Sequence, residues 1–416
     1  MSFGNINLDI DFVRSQFPAF EDPLSKEWSF FENAGGSYVP QKVIKKLNEF
    51  MVSTKVQPYA EYKMSKIAGE NMDLATEYFA KMINANKNEI IIGGSTSINL
   101  YVLSNALKKF ISPGDEIIVT NQDHEANISP WIRLKEVGAK IVEWKINNES
   151  HELEINQLHK LISNKTKILA VTHCSNIVGS INDLKNISKI AHDKNIIVIG
   201  DGVSFAPHGF PDVKEIGVDF YTFSLYKTYG PHLALLYGKE DILQKLPNQN
   251  HEFLEGKYPY TINPGGPNHE ELSSLSGIYE YFMDIFFHHY QVSNLNIRSK
   301  INKVNDLIAK HEEMIAQPLL DYLNDSKIFN LIGKNTIKNK NRAPTISFTS
   351  DKFTSKKISD FLVENKIATR NDNFYAWRCL EALGIDINDG VLRISMTHYN
   401  SLEEVNRLIS VLEKIN

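Results

Sequence analysis

The stretch TKILAVTHCSNIVGSINDLKNISKIAHDKNIIVIGD (residues 166–201) contains two short apolar runs with a longer polar segment between them. The runs TKILAVTH and NIIVIGD are rich in Ile and Val, a pattern that is typical of buried strands. The intervening DLKNISKIAHDKN has the apolar spacing of an amphipathic helix. This order of strand, helix and strand predicts two parallel strands joined by a crossover helix.

Apolar runs of the same kind alternate with helical patterns from about residue 85 to 240. The runs that predict strands are NEIIIGG, DEIIVTN, AKIVEWKI, TKILAVTH, NIIVIGD, DFYTFSL and HLALLYG. The segments between them that predict helices are SINLYVLSNALKKF, SPWIRLKEVG, EINQLHKLISN and DLKNISKIAHDKN. We therefore predict an α/β fold with a mainly parallel seven-stranded sheet that helices cover on both faces.

The pattern changes in the last third of the chain. It is helical from about residue 270 to 325, and the final ninety or so residues mix strands with helices. Length alone allows two or three domains. We predict an N-terminal segment over residues 1–30 that packs on the smaller domain, a large domain over 31–290 and a smaller α+β domain over 291–416.

The composition excludes several classes of protein. The 416 residues carry a net charge of −5 without a dominant basic patch, so neither nucleic acid nor an anionic membrane is an expected partner. The two cysteines, Cys174 and Cys379, provide no disulfide framework and no metal cluster, which suits a reducing cytosol. The chain start does not resemble a signal peptide, and the apolar runs are too short to span a bilayer. A cytoplasmic location is therefore expected.

Polar residues follow the predicted strands, at the sheet edge where parallel α/β proteins bind ligands. GGSTSIN places Ser95, Thr96 and Ser97 at a helix start that could bind an anion, although a simple helix cap is an equally valid interpretation. His124 follows the next strand, where a loop histidine is more often a surface residue. Asn176 also follows a strand.

Two charged residues at this edge are more informative. Asp201 directly follows a buried strand, and a buried carboxylate requires a partner. Lys227 follows DFYTFSLY, so its amine either reaches solvent or performs covalent chemistry. An anion site, an imidazole, an amide, a carboxylate and a lysine together match the needs of pyridoxal phosphate. Its aldehyde binds a lysine, and its pyridine nitrogen pairs with an acid.

Several motifs resemble those of the class V aminotransferase family, and most closely its cysteine desulfurase and selenocysteine lyase branch. They are ENAGGSYVP, GGSTSIN, QDHEANISPW, THCSNIVGSI, DGVSFAPHGFPD, DFYTFSLYKTYGP and RISMTHYNSLEEVNRLI, in the order of the family. The resemblance implies the fold type I of pyridoxal phosphate-dependent transferases, with the cofactor in the large domain. It also implies a homodimer whose active sites lie at the subunit interface.

The resemblance also implies roles for single residues. Lys227 matches the lysine that binds the cofactor, Asp201 the acid on the pyridine nitrogen, and His124 the imidazole stacked on the ring. Asn176 matches an amide near the cofactor's phenolic oxygen and the substrate carboxylate. The remaining matches are Val203 on the other ring face, Ser95, Thr96 and Ser224 at the phosphate, Arg393 at the substrate α-carboxylate, and Gly35 and Tyr375 near the substrate.

The chain departs from the family pattern at several positions. Tyr375 stands at about the place of the catalytic cysteine of cysteine desulfurases, and Cys379 lies four residues further on in a predicted helix. Ser204 replaces a glutamine of the cofactor site. Tyr226 replaces a phosphate-binding histidine. Three further departures are Tyr59 and Tyr62, where relatives have His-Arg-Gly, and Gly266, which offers only a backbone amide to the partner subunit's phosphate.

These matches and departures limit the reactions that the chain is expected to catalyse. The resemblance implies an enzyme that acts on an amino acid through an external aldimine, with Lys227, Asp201 and His124 as catalytic residues. Loss of a β-leaving group would make it a carbon–sulfur lyase without a persulfide cysteine, the preferred prediction. Reprotonation at C4′ of the cofactor would make it a class V aminotransferase, and reprotonation at Cα an amino-acid epimerase. The alternative from another class is a non-catalytic scaffold with the same fold.

Overall fold

The structure is a computed structural model that describes residues 6–292 and 294–415. Its strands, in chain order, are β1 (Ser29–Phe30), β2 (Ile90–Gly93), β3 (Glu116–Thr120), β4 (Lys140–Trp144), β5 (Thr166–Thr172), β6 (Ile197–Asp201), β7 (Phe220–Ser224), β8 (Ala234–Gly238), β9 (Phe329–Ile332), β10 (Thr345–Ser350), β11 (Ile367–Ala368), β12 (Arg370–Asp372) and β13 (Val391–Ser395).

The α-helices of the described residues precede, separate and follow these strands. In chain order they are α1 (Ile10–Ser15), α2 (Gln41–Ser53), α3 (Lys63–Met82), α4 (Thr96–Leu107), α5 (Ser129–Ile132), α6 (Ile155–Leu161), α7 (Leu184–His192), α8 (Val213–Ile216), α9 (Glu240–Leu243), α10 (His269–Ser274), α11 (Ser276–His289), α12 (Ile297–Asp325), α13 (Ser355–Glu364), α14 (Trp377–Ala382) and α15 (Leu402–Leu412). None of the helices in the described part is long and apolar enough to cross a bilayer.

The central sheet has the strand order β2-β8-β7-β6-β5-β3-β4. Each of the predicted strand runs forms one of these strands, and β8 is the member that pairs antiparallel with its neighbours. The predicted α/β fold with a mainly parallel seven-stranded sheet is therefore confirmed. Strands β6, β7 and β8 are buried along nearly their whole length, which explains their continuous runs of apolar residues.

One predicted helix is much shorter than expected. SPWIRLKEVG forms the four-residue helix α5 and then continues as a 3₁₀ helix over Arg133–Val137. Pro130 stands at its start, and Gly138 ends the segment in a left-handed conformation with φ 89°. Both residues restrict a regular α-helix to this short stretch.

The C-terminal part of the chain builds a second sheet and a second core. Strands β12, β13, β10 and β9 form an antiparallel sheet in that order, and β1 pairs in parallel with β11. Helix α12 contributes Ile301 and Val304 to the core of the large sheet, and Ile315 and Leu319 to the core of the smaller one. The domain boundaries at residues 30 and 290 remain predictions.

Candidate functional site

Lys227 lies at the carboxyl end of β7, in a 3₁₀ turn over Leu225–Lys227. The five residues of β7 are buried, so the chain leaves the sheet at Ser224 and carries the lysine to its edge. Burial and, to a smaller extent, the nearby Arg393 guanidinium together lower the pKa of the Lys227 amine to about 8. A substantial fraction of this amine is therefore neutral near physiological pH, which a base or a nucleophile requires.

Asp201 ends the neighbouring strand β6 and lies opposite Thr222 of β7. Its Oδ1 atom accepts a hydrogen bond of 2.9 Å from the backbone N–H of Val203. Burial raises the pKa of the carboxyl to about 6, while the Val203 bond and the Lys227 amine limit the rise. The group is thus an anion at neutral pH and can pair with a buried cation.

His124 follows β3 on the other side of β5. Its Nδ1 atom accepts a hydrogen bond of 3.0 Å from the N–H of Ala126, so the proton of the neutral ring is on Nε2. Burial, with smaller contributions from Lys227 and Arg393, lowers the pKa of the ring to about 3. His124 therefore presents a neutral, flat ring to the site.

The start of helix α4 faces the same space. The Ser95 hydroxyl accepts a bond of 3.2 Å from the N–H of Ile98, so it caps the helix as the simpler interpretation of GGSTSIN proposes. Thr96 Oγ1 and Ser224 Oγ lie 2.9 Å apart, and a hydrogen bond from Ser224 holds the Tyr226 hydroxyl. Hydroxyls beside a helix N-terminus provide donors for an anionic group.

Arg393 and Asn176, near Lys227, each have a buried polar atom that makes no hydrogen bond with the described residues. Arg393 in β13 is 3% exposed, and its Nη1 donates a bond of 3.2 Å to the carbonyl of Asn176. The Asn176 amide donates a bond of 3.0 Å to the carbonyl of Phe374, whose ring lies 3.6 Å below the guanidinium. Arg393 Nε and Asn176 Oδ1 are buried and have no partner among the described residues. Such atoms indicate the place of a polar ligand.

Tyr375 extends over His124 from an unusual loop. Phe374 and Tyr375 are both left-handed, with φ 50° and 58°. The Tyr375 ring is 5.3 Å from the His124 ring, and its carbonyl accepts a bond of 2.7 Å from the N–H of Glu125. Tyr375 is 68% exposed. Its ring therefore borders the open side of the site.

A single cavity, called the Lys227 cavity, brings together most of the residues that the sequence singled out. The predicted residues in its wall are Ser95, Thr96, His124, Asn176, Asp201, Val203, Ser204, Ser224, Tyr226 and Lys227. Arg393 and Tyr375 adjoin this wall through Asn176 and His124. Gly35 lies beside Glu32 at the surface, and Gly266 lies in an exposed turn with φ 101°, outside the wall within this chain.

Three neighbours of the site were not predicted from the sequence. The Phe374 ring supports the Arg393 guanidinium, and the Glu32 carboxylate raises the pKa of both Arg393 and Lys227. Asp123 is buried under His124, where it accepts hydrogen bonds from Thr120 and Asn127. The motifs ENAGG, QDHEAN and NFYA contain all three, but nothing in their spacing separates them from ordinary structural residues.

Neither cysteine is placed as a reactive thiol. Cys174 lies in the wall of the Lys227 cavity, and its thiol donates to the carbonyl of Gly179 at 3.4 Å. Cys379 is buried in helix α14, as the sequence predicts. Burial raises the pKa of both thiols to about 12. Both are therefore protonated at neutral pH, and a protonated thiol is a poor nucleophile.

Comparisons with known proteins agree with this arrangement. The family model described as aminotransferase class-V matches residues 29–408. The aminotransferase-like protein FGM3 of Gibberella zeae is 36% identical over 420 residues, which cover 98% of this chain and 99% of the relative. A cysteine desulfurase-like protein of Aspergillus flavus, ustD, is 30% identical over 98% of this chain and 91% of its own length. A cysteine desulfurase of Yersinia pestis is 28% identical over 99% of both chains.

Solved structures show the same fold. The cysteine desulfurase CsdA of Escherichia coli superposes with a TM-score of 0.82 at 23% identity and covers 98% of both chains. The apo cysteine desulfurase of Thermococcus onnurineus NA1 superposes with a TM-score of 0.85 at 24% identity and covers 99% of both chains. The chain belongs to the class V aminotransferase family, with the fold type I of its members, and is a pyridoxal phosphate-dependent enzyme.

Proposed function

We propose that the enzyme binds pyridoxal phosphate in the Lys227 cavity and acts there on an amino acid. Lys227 would bind the aldehyde, Asp201 the pyridine nitrogen, and Ser95, Thr96, Ser224 and Tyr226 the phosphate. This assignment is supported by the position of all six residues in one cavity wall. When bound, the cofactor supplies an electron sink for the negative charge that develops on the amino-acid Cα.

Lys227 is the proposed base. Its pKa of about 8 leaves part of the amine neutral, so it could take a proton from Cα of the substrate. Asp201 would keep its negative charge above a pH of about 6 and so keep the pyridine nitrogen protonated. His124 and Val203 are proposed to cover the two faces of the cofactor ring.

Arg393 is the proposed binding site of the substrate α-carboxylate. The guanidinium is fixed by the Asn176 carbonyl on one side and by the Phe374 ring below, and its Nε has no partner among the described residues. A carboxylate would satisfy this donor in the two-pronged geometry that arginine favours. The unpaired Asn176 Oδ1 would accept from a second polar group of the ligand.

For the reaction we propose cleavage of a carbon–sulfur bond, or a similar β-elimination, without transfer of sulfur to the enzyme. The observation that carries this choice is the state of the two thiols. Both are buried with a raised pKa, and Tyr375 occupies the predicted position of the persulfide cysteine. The relatives named cysteine desulfurase make a sulfur amino acid the first substrate class to test.

A transaminase is the second candidate, and an epimerase would differ from it by returning the proton to Cα of the substrate. A transaminase for dicarboxylates needs a second cation. Arg370 pairs with Asp372 at 2.6 Å, and Arg378 pairs with Glu125 at 3.2 Å, so both candidate cations are already neutralised. This favours a lyase over a transaminase of that kind. The intact Lys227, Asp201 and Arg393 disfavour a non-catalytic scaffold.

An assay panel tests the proposal. The purified protein with added pyridoxal phosphate should absorb in the band of a cofactor bound to lysine, and Lys227→Ala should lose this band. Lys356→Ala changes an exposed lysine and should keep it. L-cysteine and L-cystine should then yield pyruvate and a sulfur product. Amino transfer that requires an added keto acid, with no pyruvate from L-cysteine, would instead establish the transaminase.

We also propose a cytosolic homodimer. The dimer is supported by exposed apolar side chains on α2, in the segment that follows it and at the start of α3, namely Met51, Val52, Tyr59, Tyr62 and Met64. Gly266 would then offer its N–H to the cofactor phosphate in the partner subunit. Light scattering should give twice the chain mass of 47.4 kDa, and a monomer at micromolar concentration would contradict the proposal.

A further inference from the structure

Two further cavities lead away from the Lys227 cavity, one beside it and one beyond that. The first, called the inner cavity, is small and shares Val203, Ser204 and Lys227 with it. The second, called the outer cleft, has a volume of about 690 Å³ and lies along helix α12. His208 lines both the inner cavity and the outer cleft, so one imidazole separates them. The three spaces thus form a series from Lys227 to the outer cleft.

The inner cavity has the size and the polarity for one water molecule. Its volume of about 10 Å³ is near the minimum that a single water needs. Thr397 lines it, is 1% exposed, and its hydroxyl donates to Tyr399, which leaves the lone pairs of the Thr397 oxygen for another donor. A water in the inner cavity would supply that donor. Ser204, His208 and Lys227 are further polar groups in the same wall.

His208 is paired with a buried acid on the side of the outer cleft. Its Nδ1 lies 3.0 Å from Oε1 of Glu312, and the two side chains are 10% and 3% exposed. The turn Ala206–His208 after β6 supplies the histidine, and α12 supplies the acid. Because Nδ1 donates to the carboxylate, Nε2 is the ring nitrogen that remains free to accept a proton.

We propose that His208 and Glu312, with one water in the inner cavity, form a proton path between Lys227 and the outer cleft, in which Glu312 positions the His208 ring. The proposal rests on the proposed function, in which Lys227 gains a proton from the substrate. The Lys227 ammonium gives one proton to the water, which passes one to His208 Nε2. The resulting imidazolium passes its Nδ1 proton to the Glu312 carboxylate, which releases one proton to water in the outer cleft, and exchange of the remaining ring proton from Nε2 to Nδ1 restores the starting state.

The first test is a high-resolution crystal structure of the full chain. We expect one ordered water in the inner cavity, within hydrogen-bond distance of Thr397 Oγ1 and His208 Nε2. A dry cavity, or a ring turned so that Nε2 faces elsewhere, would overturn the path. This result does not depend on the cofactor or on the reaction.

The second test follows proton transfer in the protein loaded with pyridoxal phosphate. After a rapid pH change, the absorption of the lysine-bound cofactor should relax about 10-fold more slowly in Glu312→Gln than in the unchanged protein. Thr397→Val, which removes the hydroxyl at nearly constant volume, should slow it as well. Glu313→Gln removes the neighbouring acid of the same cleft and should leave the rate unchanged.

The outcomes separate this inference from the proposed function. If added pyridoxal phosphate gives no lysine-bound absorption, the proposed function fails, and the crystal structure alone decides on the water. If the absorption forms but Glu312→Gln and Glu313→Gln relax at equal rates, the proton path is wrong while the cofactor assignment stands.

Discussion

At the scale of one residue, the buried amine of Lys227 lowers the free energy of unfolding of the chain. Burial and the Arg393 guanidinium both disfavour its ammonium form, and Asp201 offsets only part of this. The folded chain therefore binds fewer protons at this residue than the unfolded chain between a pH of about 8 and the ordinary lysine pKa. The free energy of unfolding should rise with pH across this window.

Lys227→Met should stabilise the cofactor-free protein at pH 7, because it removes a buried positive charge. We expect the free energy of unfolding to increase by about 1–3 kcal/mol at pH 7 and by less at pH 9.5, where the native amine is already neutral. Urea unfolding at the two pH values measures this difference. Lys356→Met, at an exposed lysine, is the control and should show no such pH dependence. A gain that is equal at both pH values would contradict the assignment.

Arg393→Lys should lower kcat/KM by about 10-fold to 100-fold, mainly through a higher KM. Lysine keeps the charge but cannot form two parallel bonds with a carboxylate or stack on Phe374. Arg370→Lys is a matched control, because Arg370 is the direct neighbour of Arg393 across the strand pair but is half-exposed and already paired with Asp372. Steady-state kinetics on the substrate found in the assay panel measures both variants. An equal loss in both would argue against a special role of Arg393.

At the scale of elements, the site is assembled where loops cross the sheet edge. The loop with Phe374 and Tyr375 is held by the carbonyl bond to Glu125 and by the ion pair of Arg378 with Glu125. It also contains two consecutive left-handed residues, a conformation that costs about 1 kcal/mol or more per residue. Such a loop persists because its partners fix it, and its task is to place the Phe374 and Tyr375 rings.

Tyr375→Gly should separate backbone strain from the function of the ring. Glycine tolerates the left-handed conformation but loses the ring, so the free energy of unfolding should change by less than about 1 kcal/mol. We expect kcat/KM to fall at least about 10-fold, while Tyr375→Phe keeps the ring and most of the activity. Denaturation and kinetics on both variants measure this. A Tyr375→Phe variant as impaired as Tyr375→Gly would show instead that the hydroxyl acts in the reaction.

At the scale of the whole molecule, the two sheets meet around buried polar groups. The Arg342 guanidinium is fully buried and donates to the carbonyls of Val178 at 3.2 Å and Thr345 at 2.9 Å, as well as to the carbonyl of Lys334. Val178 belongs to the loop that also carries Asn176. Arg342 therefore links the loop of the site to the start of β10, the strand that pairs with the Arg393 strand β13.

Arg342→Ala should destabilise the contact between the two sheets. It leaves buried carbonyls without donors, so we expect a loss of about 3 kcal/mol or more in the free energy of unfolding. Arg407→Ala, at a partly exposed arginine that contacts Ser29 and Asn365, should cost less than about 1 kcal/mol. Thermal and urea denaturation measure both. A mild effect of Arg342→Ala would mean that water replaces the guanidinium and that the link is dispensable.

The sequence by itself determined the large sheet and the residues at its edge. Strand runs with buried side chains on both faces are local patterns, and the residue after each strand must lie at the same edge of a parallel sheet. For this reason Ser95, His124, Asn176, Asp201 and Lys227 could be named in advance. Gly35 and Gly266 depended on the resemblance alone, and their roles stay predictions because they lie outside the cavity wall of this chain.

Only the tertiary structure decided which distant groups meet. The Phe374 ring below Arg393, the carboxylate of Glu32 near Lys227, and the pair of His208 with Glu312 join residues far apart in the chain. The protonation of Lys227, His124 and the two thiols also depends on burial, which is a property of the packed molecule. The periodicity of the sequence shows which face of a helix or strand is apolar. It does not show what a polar side chain contacts across the core. Those contacts determine the chemistry of the site.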